Sequence, residues 1–161
     1  MRNPTREGAL FFLVQKRRVG WDKVYLPVRP NGSTGWIRDG AVSLALDPYH
    51  VVVSLASHRL TVWKRGRIVI REQAAVGRSV LPTPTGTYFI VDLLEQPNPH
   101  GAYGPYAFGL SAFSNVLTSF GGGPGQIGIH GTDDPSRIGT NVSHGCIRIS
   151  NAAIRRLARL L

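Results

Sequence analysis

The sequence predicts a mainly β fold that ends in one amphipathic helix. Three observations carry this reading. The 161 residues include 19 glycines and 11 prolines, too many for a helical bundle, and these punctuate short apolar runs. Most of those runs alternate apolar and polar residues with a period of two. Only "NAAIRRLARLL" changes period, with Ile154, Leu157, Ala158 and Leu161 at helical spacing and Arg155, Arg156 and Arg159 on the other face.

Residues 1–47 read as short strands. In "WDKVYLPV", Trp21, Val24 and Leu26 follow a roughly alternating pattern. "RPNGSTGWI" is a turn followed by a strand, and "AVSLAL" alternates well enough to be another. These strands are too few to close an independent barrel. Asp47-Pro48 marks a boundary, leaving residues 48–161 as the main domain. There, strands at His50–Leu55, Arg59–Lys64 and Arg67–Gln73 form a β-meander with a tight turn around Gly66. "PTPTGTYFIVDLL" is a Pro-rich turn entering a strand. "EQPNPHGAYGPYAF" lacks periodicity and reads as a long loop, a common place for function. "YAFGLSAFS" is a strand, "SFGGGPG" a loop, and "QIGIH" a short buried strand ending on His130. "GTDDPSRIG" is a turn. Ser150 or Asn151 can cap the final helix.

The length allows one domain, or one domain plus a small module, and a hydrophobic content of 42% allows a real core. The net charge of +10 favours an anionic partner. No basic cluster is interleaved with aromatics, so nucleic acid is not expected. No run approaches the ~20 apolar residues of a membrane helix. The start holds only a short apolar run, Ala9 to Val14, without a small-residue cleavage site, so no signal peptide is expected.

Cys146 is the only cysteine, which excludes an intrachain disulfide and an all-cysteine zinc site. It stands in "VSHGCIRISN" and has three possible fates. As a buried hydrophobe it would be inert. As a metal ligand it would join His130 and His144, with water in the fourth position. That set lacks a nearby Glu as base, and Asp133 and Asp134 read more simply as part of a capped turn. As a nucleophile, a thiol of ordinary pKa ~8.5 needs a cation or base nearby, and would then react quickly near neutral pH. His144, two residues away, faces the same side in an extended segment. His130 ends a strand just before a glycine. Gly145 allows a sharp turn in which the N–H groups of Gly145 and Cys146 converge as an oxyanion hole. Arg148 offers a guanidinium fork to a carboxylate, or forms a structural ion pair. Tyr103, Tyr106 and Phe108 form a substrate platform or pin the loop down. His58 and His100 read as surface histidines. The flanking Ser-His-Gly and the second histidine favour the nucleophile.

"IGIHGT", a spacer and "SHGCIRISN" together resemble the signature of YkuD-type L,D-transpeptidases. "HRLTVWKRGRIV", "VGRSVLPTPTGTYFI" and "AYGPYAFGLSAFS" extend the resemblance over about residues 48–161. It implies an L,D-transpeptidase-type β-sandwich with one or two short helices, no cofactor or metal, and peptidoglycan stem peptides as substrates. Carried over, Cys146 attacks the carbonyl before the terminal D-alanine of a tetrapeptide stem. An amine of another stem then takes the acyl group from the thioester, giving a 3-3 cross-link. His130 is the general base and acid, oriented by the Gly131 carbonyl. Ser143, His144 and Gly145 shape the pocket and oxyanion hole. Arg148 and Asn151 support the site, and Tyr103, Gly104 and Tyr106 lie near the cleft. Water as acceptor would instead make an L,D-carboxypeptidase. A third reading is a wall-binding module whose basic surface docks anionic wall polymer while the cysteine stays idle.

"VYLPVRPNGSTGWI" resembles the end of a bacterial SH3-like module, of which residues 1–47 hold only part. The family's substrate implies an extracytoplasmic location. Family members usually carry an export signal and a Gly-x-x-Val strand after the helix. Neither is seen here, so a fragment or a misplaced start is expected.

Overall fold

The computed structural model describes residues 10–161; the beginning of the apolar run at Ala9, and the residues before it, lie outside the described residues. The first elements are β1 (Val14–Arg18), β2 (Trp21–Tyr25) and β3 (Thr34–Arg38), a three-stranded antiparallel sheet in that order. Period two in β2 buries Asp22 and Val24 on one face. Trp21 therefore faces away from Val24, contrary to the expected pattern. Its ring lies under the guanidinium groups of Arg18 and Arg38, and Arg18 also sits 4.0 Å from the Trp36 ring. Asp22, 1% exposed, takes an ion pair of 2.7 Å from its cross-strand partner Arg17. "AVSLAL" is not a strand. Asp39–Ala41 form a 3-10 turn and residues 42–48 run on without a sheet partner among the described residues. Alternation makes a strand only where another strand supplies hydrogen bonds and a face to bury. Here Leu46 is 99% exposed.

Next come β4 (Tyr49–Ser54), β5 (Arg59–Lys64) and β6 (Arg67–Gln73), an antiparallel meander close to the expected spans. Arg65 and Gly66 both take left-handed φ, 47° and 79°, as a type I′ hairpin turn requires. β7 (Val76–Gly77) pairs in parallel with β11 (Asn141–Ser143). A four-stranded sheet contains β8 (Ile90–Glu95), β9 (Tyr106–Phe113), β10 (Gln126–His130) and β12 (Ile147–Arg148), in the order β12-β10-β9-β8. β10 and β12 are parallel and the other pairs antiparallel. The chain ends in α1 (Asn151–Leu160).

The core lies where these layers meet. Leu60 and Val62 of the meander, Phe108, Ile127 and Ile129 of the larger sheet, and Ile154 and Leu157 of α1 form one buried cluster. α1 starts where Ser150 Oγ accepts the Ala153 N–H at 3.1 Å. Arg156, on its outer face, pairs with Glu72 of β6. The fold is thus mainly β with one short helix.

Candidate active site

The site grows out of strand periodicity. From Ser143 to Ile149, Ser143, Gly145, Ile147 and Ile149 are buried in strict alternation. His144, Cys146 and Arg148 therefore share the opposite face. β10 repeats the device, with Ile127 and Ile129 turned to the core and His130 on the other side. The parallel register pairs His130 with Arg148. Two residues back, the Gly128 N–H donates to Cys146 Sγ at 3.4 Å. Cys146, His130, His144 and Arg148 line one cavity of about 160 Å³, together with Tyr103 and Phe120. A wider groove of about 480 Å³ over Tyr49, His50 and Trp63 holds none of these groups.

The turn carrying Cys146 is held from both ends. Ser143 Oγ accepts the Gly145 N–H at 3.0 Å and donates to the Cys146 carbonyl at 2.6 Å. Thr83 Oγ1 accepts the Gly77 N–H and donates to the Gly145 carbonyl, both at 2.8 Å. Gly145 has φ 119°, and a Cβ there would lie 2.9 Å from Ile127 Cδ1. Only glycine meets both conditions. The Gly145 N–H, expected to help hold an oxyanion, meets Ser143 Oγ here.

His130 is 4% exposed and its Nδ1 lies 2.6 Å from the Gly131 carbonyl. A carbonyl only accepts, so Nδ1 carries the proton and Nε2 is the free lone pair. The Tyr103 ring packs 4.8 Å from the imidazole, tilted by 57°. Burial pulls the His130 pKa down to about 4, with Arg148 acting in the same direction, while the Gly131 hydrogen bond and Asp133 oppose it. Burial also pushes the Cys146 thiol above its ordinary value, against weaker pulls from the Gly128 N–H and Arg148. Burial thus favours the neutral thiol and the neutral imidazole at rest. Arg148 Nε is buried without a partner among the described residues.

The other expected residues are placed less directly. Gly104 and Gly131 lie backbone against backbone, each under the Asn151 side chain, with no room for a Cβ on either. Asn151 Oδ1 accepts the Thr132 N–H at 2.9 Å, fixing the strand exit after His130. Tyr106 packs on the core rather than lining the cavity. Asp134 accepts from Ser136 and pairs with Arg137 at 3.2 Å, completing a turn. Among the described residues no three His, Cys, Asp or Glu side chains gather closely enough to hold a metal ion. Sequence reasoning missed Thr83 and Phe120. The Phe120 ring stacks 5.2 Å from His144, yet nothing near it in sequence signals that contact.

Residues 48–161 match the YkuD family of L,D-transpeptidase catalytic domains. The YkuD proteins of Bacillus licheniformis and Bacillus subtilis, both named for L,D-transpeptidase activity, are 39% and 36% identical over 114 residues. The match covers 71% of this chain and 61% of each relative's length. Among solved structures, the L,D-transpeptidase of Mycobacterium smegmatis superposes with a TM-score of 0.55 at 18% identity, over 91% of this chain and 76% of that one. That likeness concerns the fold.

Proposed function

The chain belongs to the YkuD-type L,D-transpeptidase family, and from that premise we propose that it cross-links peptidoglycan stem peptides through a thioester on Cys146. The observation that carries this reading is the shared face of His130, Cys146 and Arg148, set by the parallel register of β10 and β12.

The chemistry follows from the resting charges. Sγ attacks the carbonyl carbon before the terminal D-alanine, and His130 Nε2 takes the thiol proton as the C–S bond forms. Because the pair starts neutral, charge separation arises only with a bound acyl donor, where the developing oxyanion offsets it. The Cys146 N–H is a backbone donor of the turn for that oxyanion. The C–N bond then breaks, and His130 returns the proton to the departing amine. An amine of a second stem repeats the sequence in reverse. The Arg148 guanidinium, whose buried Nε has no hydrogen-bond partner among the described residues, suits the stem's terminal carboxylate. Such a substrate places the protein outside the cytoplasm.

The test is incubation with a disaccharide-tetrapeptide, followed by mass spectrometry. A dimer lacking one D-alanine supports transpeptidation. A monomer lacking D-alanine would make water the acceptor and the protein an L,D-carboxypeptidase. Absence of both products would refute the enzyme reading.

A further inference from the structure

One wall of the cavity is the segment 114–125, which contributes Ser114, Leu117, Phe120 and Gly125. Its base is closed by the Ser114 N–H on the Gly125 carbonyl at 2.8 Å. Its tip is closed by reciprocal bonds between Phe120 and Gly123. Among the described residues no strand pairs with it between those points.

What holds its two limbs together comes from the N-terminal sheet. Arg29, in the turn between β2 and β3, donates Nη1 to the Ser114 carbonyl at 2.5 Å. Its Nη2 donates to the Leu117 and Pro124 carbonyls at 2.8 and 2.9 Å. Ser114 and Leu117 lie on the outgoing limb and Pro124 on the returning one, so one planar fork bridges both. The same guanidinium lies 5.1 Å from the Phe113 ring. Asn31 stands beside it. Its Oδ1 accepts the Phe113 N–H at 2.9 Å and its Nδ2 donates to the Phe113 carbonyl at 2.7 Å. An amide that pairs both backbone groups of one residue does what a neighbouring strand would do. Both residues precede the family match, which begins at residue 48.

We propose that Arg29 and Asn31 are positioning residues of the cavity. The N-terminal sheet clamps the segment 114–125 in place, which keeps Phe120 over His144 and sets how a stem peptide enters. The substrate part of this inference rests on the proposed function; the clamp does not.

The experiment uses the full chain, with Arg29→Ala and Arg29→Lys, and reads three quantities. Amide hydrogen exchange in residues 114–125 is expected to quicken about tenfold in Arg29→Ala, while β5 keeps its protection. Alkylation of Cys146 by a bulky maleimide is expected to accelerate, because the wall no longer screens it. KM for the tetrapeptide is expected to rise about tenfold with kcat nearly unchanged. Lysine cannot span three carbonyls and should not restore the wild-type values, whereas added methylguanidinium should restore them in Arg29→Ala. If Arg29→Ala fails to fold, Asn31→Asp carries the test by the same readings. Unchanged exchange and unchanged alkylation in a folded variant would overturn the clamp. A chain that turns over no tetrapeptide yet shows the exchange and alkylation changes keeps the clamp and loses the enzyme reading.

Discussion

At the scale of single residues, burial favours the uncharged forms of both His130 and Cys146. For His130 the consequence reaches stability. Its folded pKa of about 4 lies below the ordinary 6.5, so the unfolded chain takes up the proton first as pH falls. Stability is full above pH 6.5 and is lost progressively down to about pH 4, by about 3 kcal/mol. His130→Gln is expected to flatten that stretch of a stability-against-pH curve. The same variant should lower tetrapeptide turnover by roughly a thousandfold if the imidazole moves the proton. Thr83 gives a second check. Thr83→Val leaves the Gly77 N–H and the Gly145 carbonyl unpaired in a buried place and is expected to cost about 2 kcal/mol in denaturant unfolding. An unchanged midpoint would mean that Thr83 does not hold the turn.

At the scale of elements, period and capping explain most of what forms. β5 buries every second residue, β10 does so up to Ile129, and the helical period of "NAAIRRLARLL" selects Ala153, Ile154 and Leu157 for the core. Leu157→Ala is expected to destabilise the fold by about 3 kcal/mol, and Ser150→Ala by about 1 kcal/mol, in chemical denaturation. These elements were legible because each carries its own period and turn chemistry. "AVSLAL" was misread because alternation says nothing about whether a partner strand is at hand. Trp21 was misread because its large apolar ring looks like core, whereas cation–π contacts to Arg18 and Arg38 suit it to the outer face. The small buried Asp22 behind it looks like surface until its partner Arg17 is seen across the hairpin.

At the scale of the whole molecule, the candidate site is assembled from segments far apart in sequence. Cys146 and His130 stood out by local pattern, since a histidine before a glycine and a cysteine after Ser-His-Gly are unusual neighbours. The hydrogen bonds that hold the Cys146 turn and the segment 114–125 were not legible in the same way. The first rest on Ser143 meeting the Gly145 N–H, and the second on Arg29 meeting carbonyls up to 95 residues away. Neither leaves a period or a motif. No helix among the described residues is long and apolar enough to cross a membrane. The chain spans about 61% of the length of the YkuD relatives it matches, so tests of activity belong to the chain as it stands.

The central claim is that Cys146 carries the acyl group. The most direct measurement is rapid acid quench of the protein with a disaccharide-tetrapeptide, proteolysis, and mass mapping of the adduct. The expected result is a stem lacking D-alanine, joined by a base-labile thioester to the peptide containing Cys146 and absent from Cys146→Ala. An adduct on another residue, or cross-linking by Cys146→Ala at the wild-type rate, would contradict it.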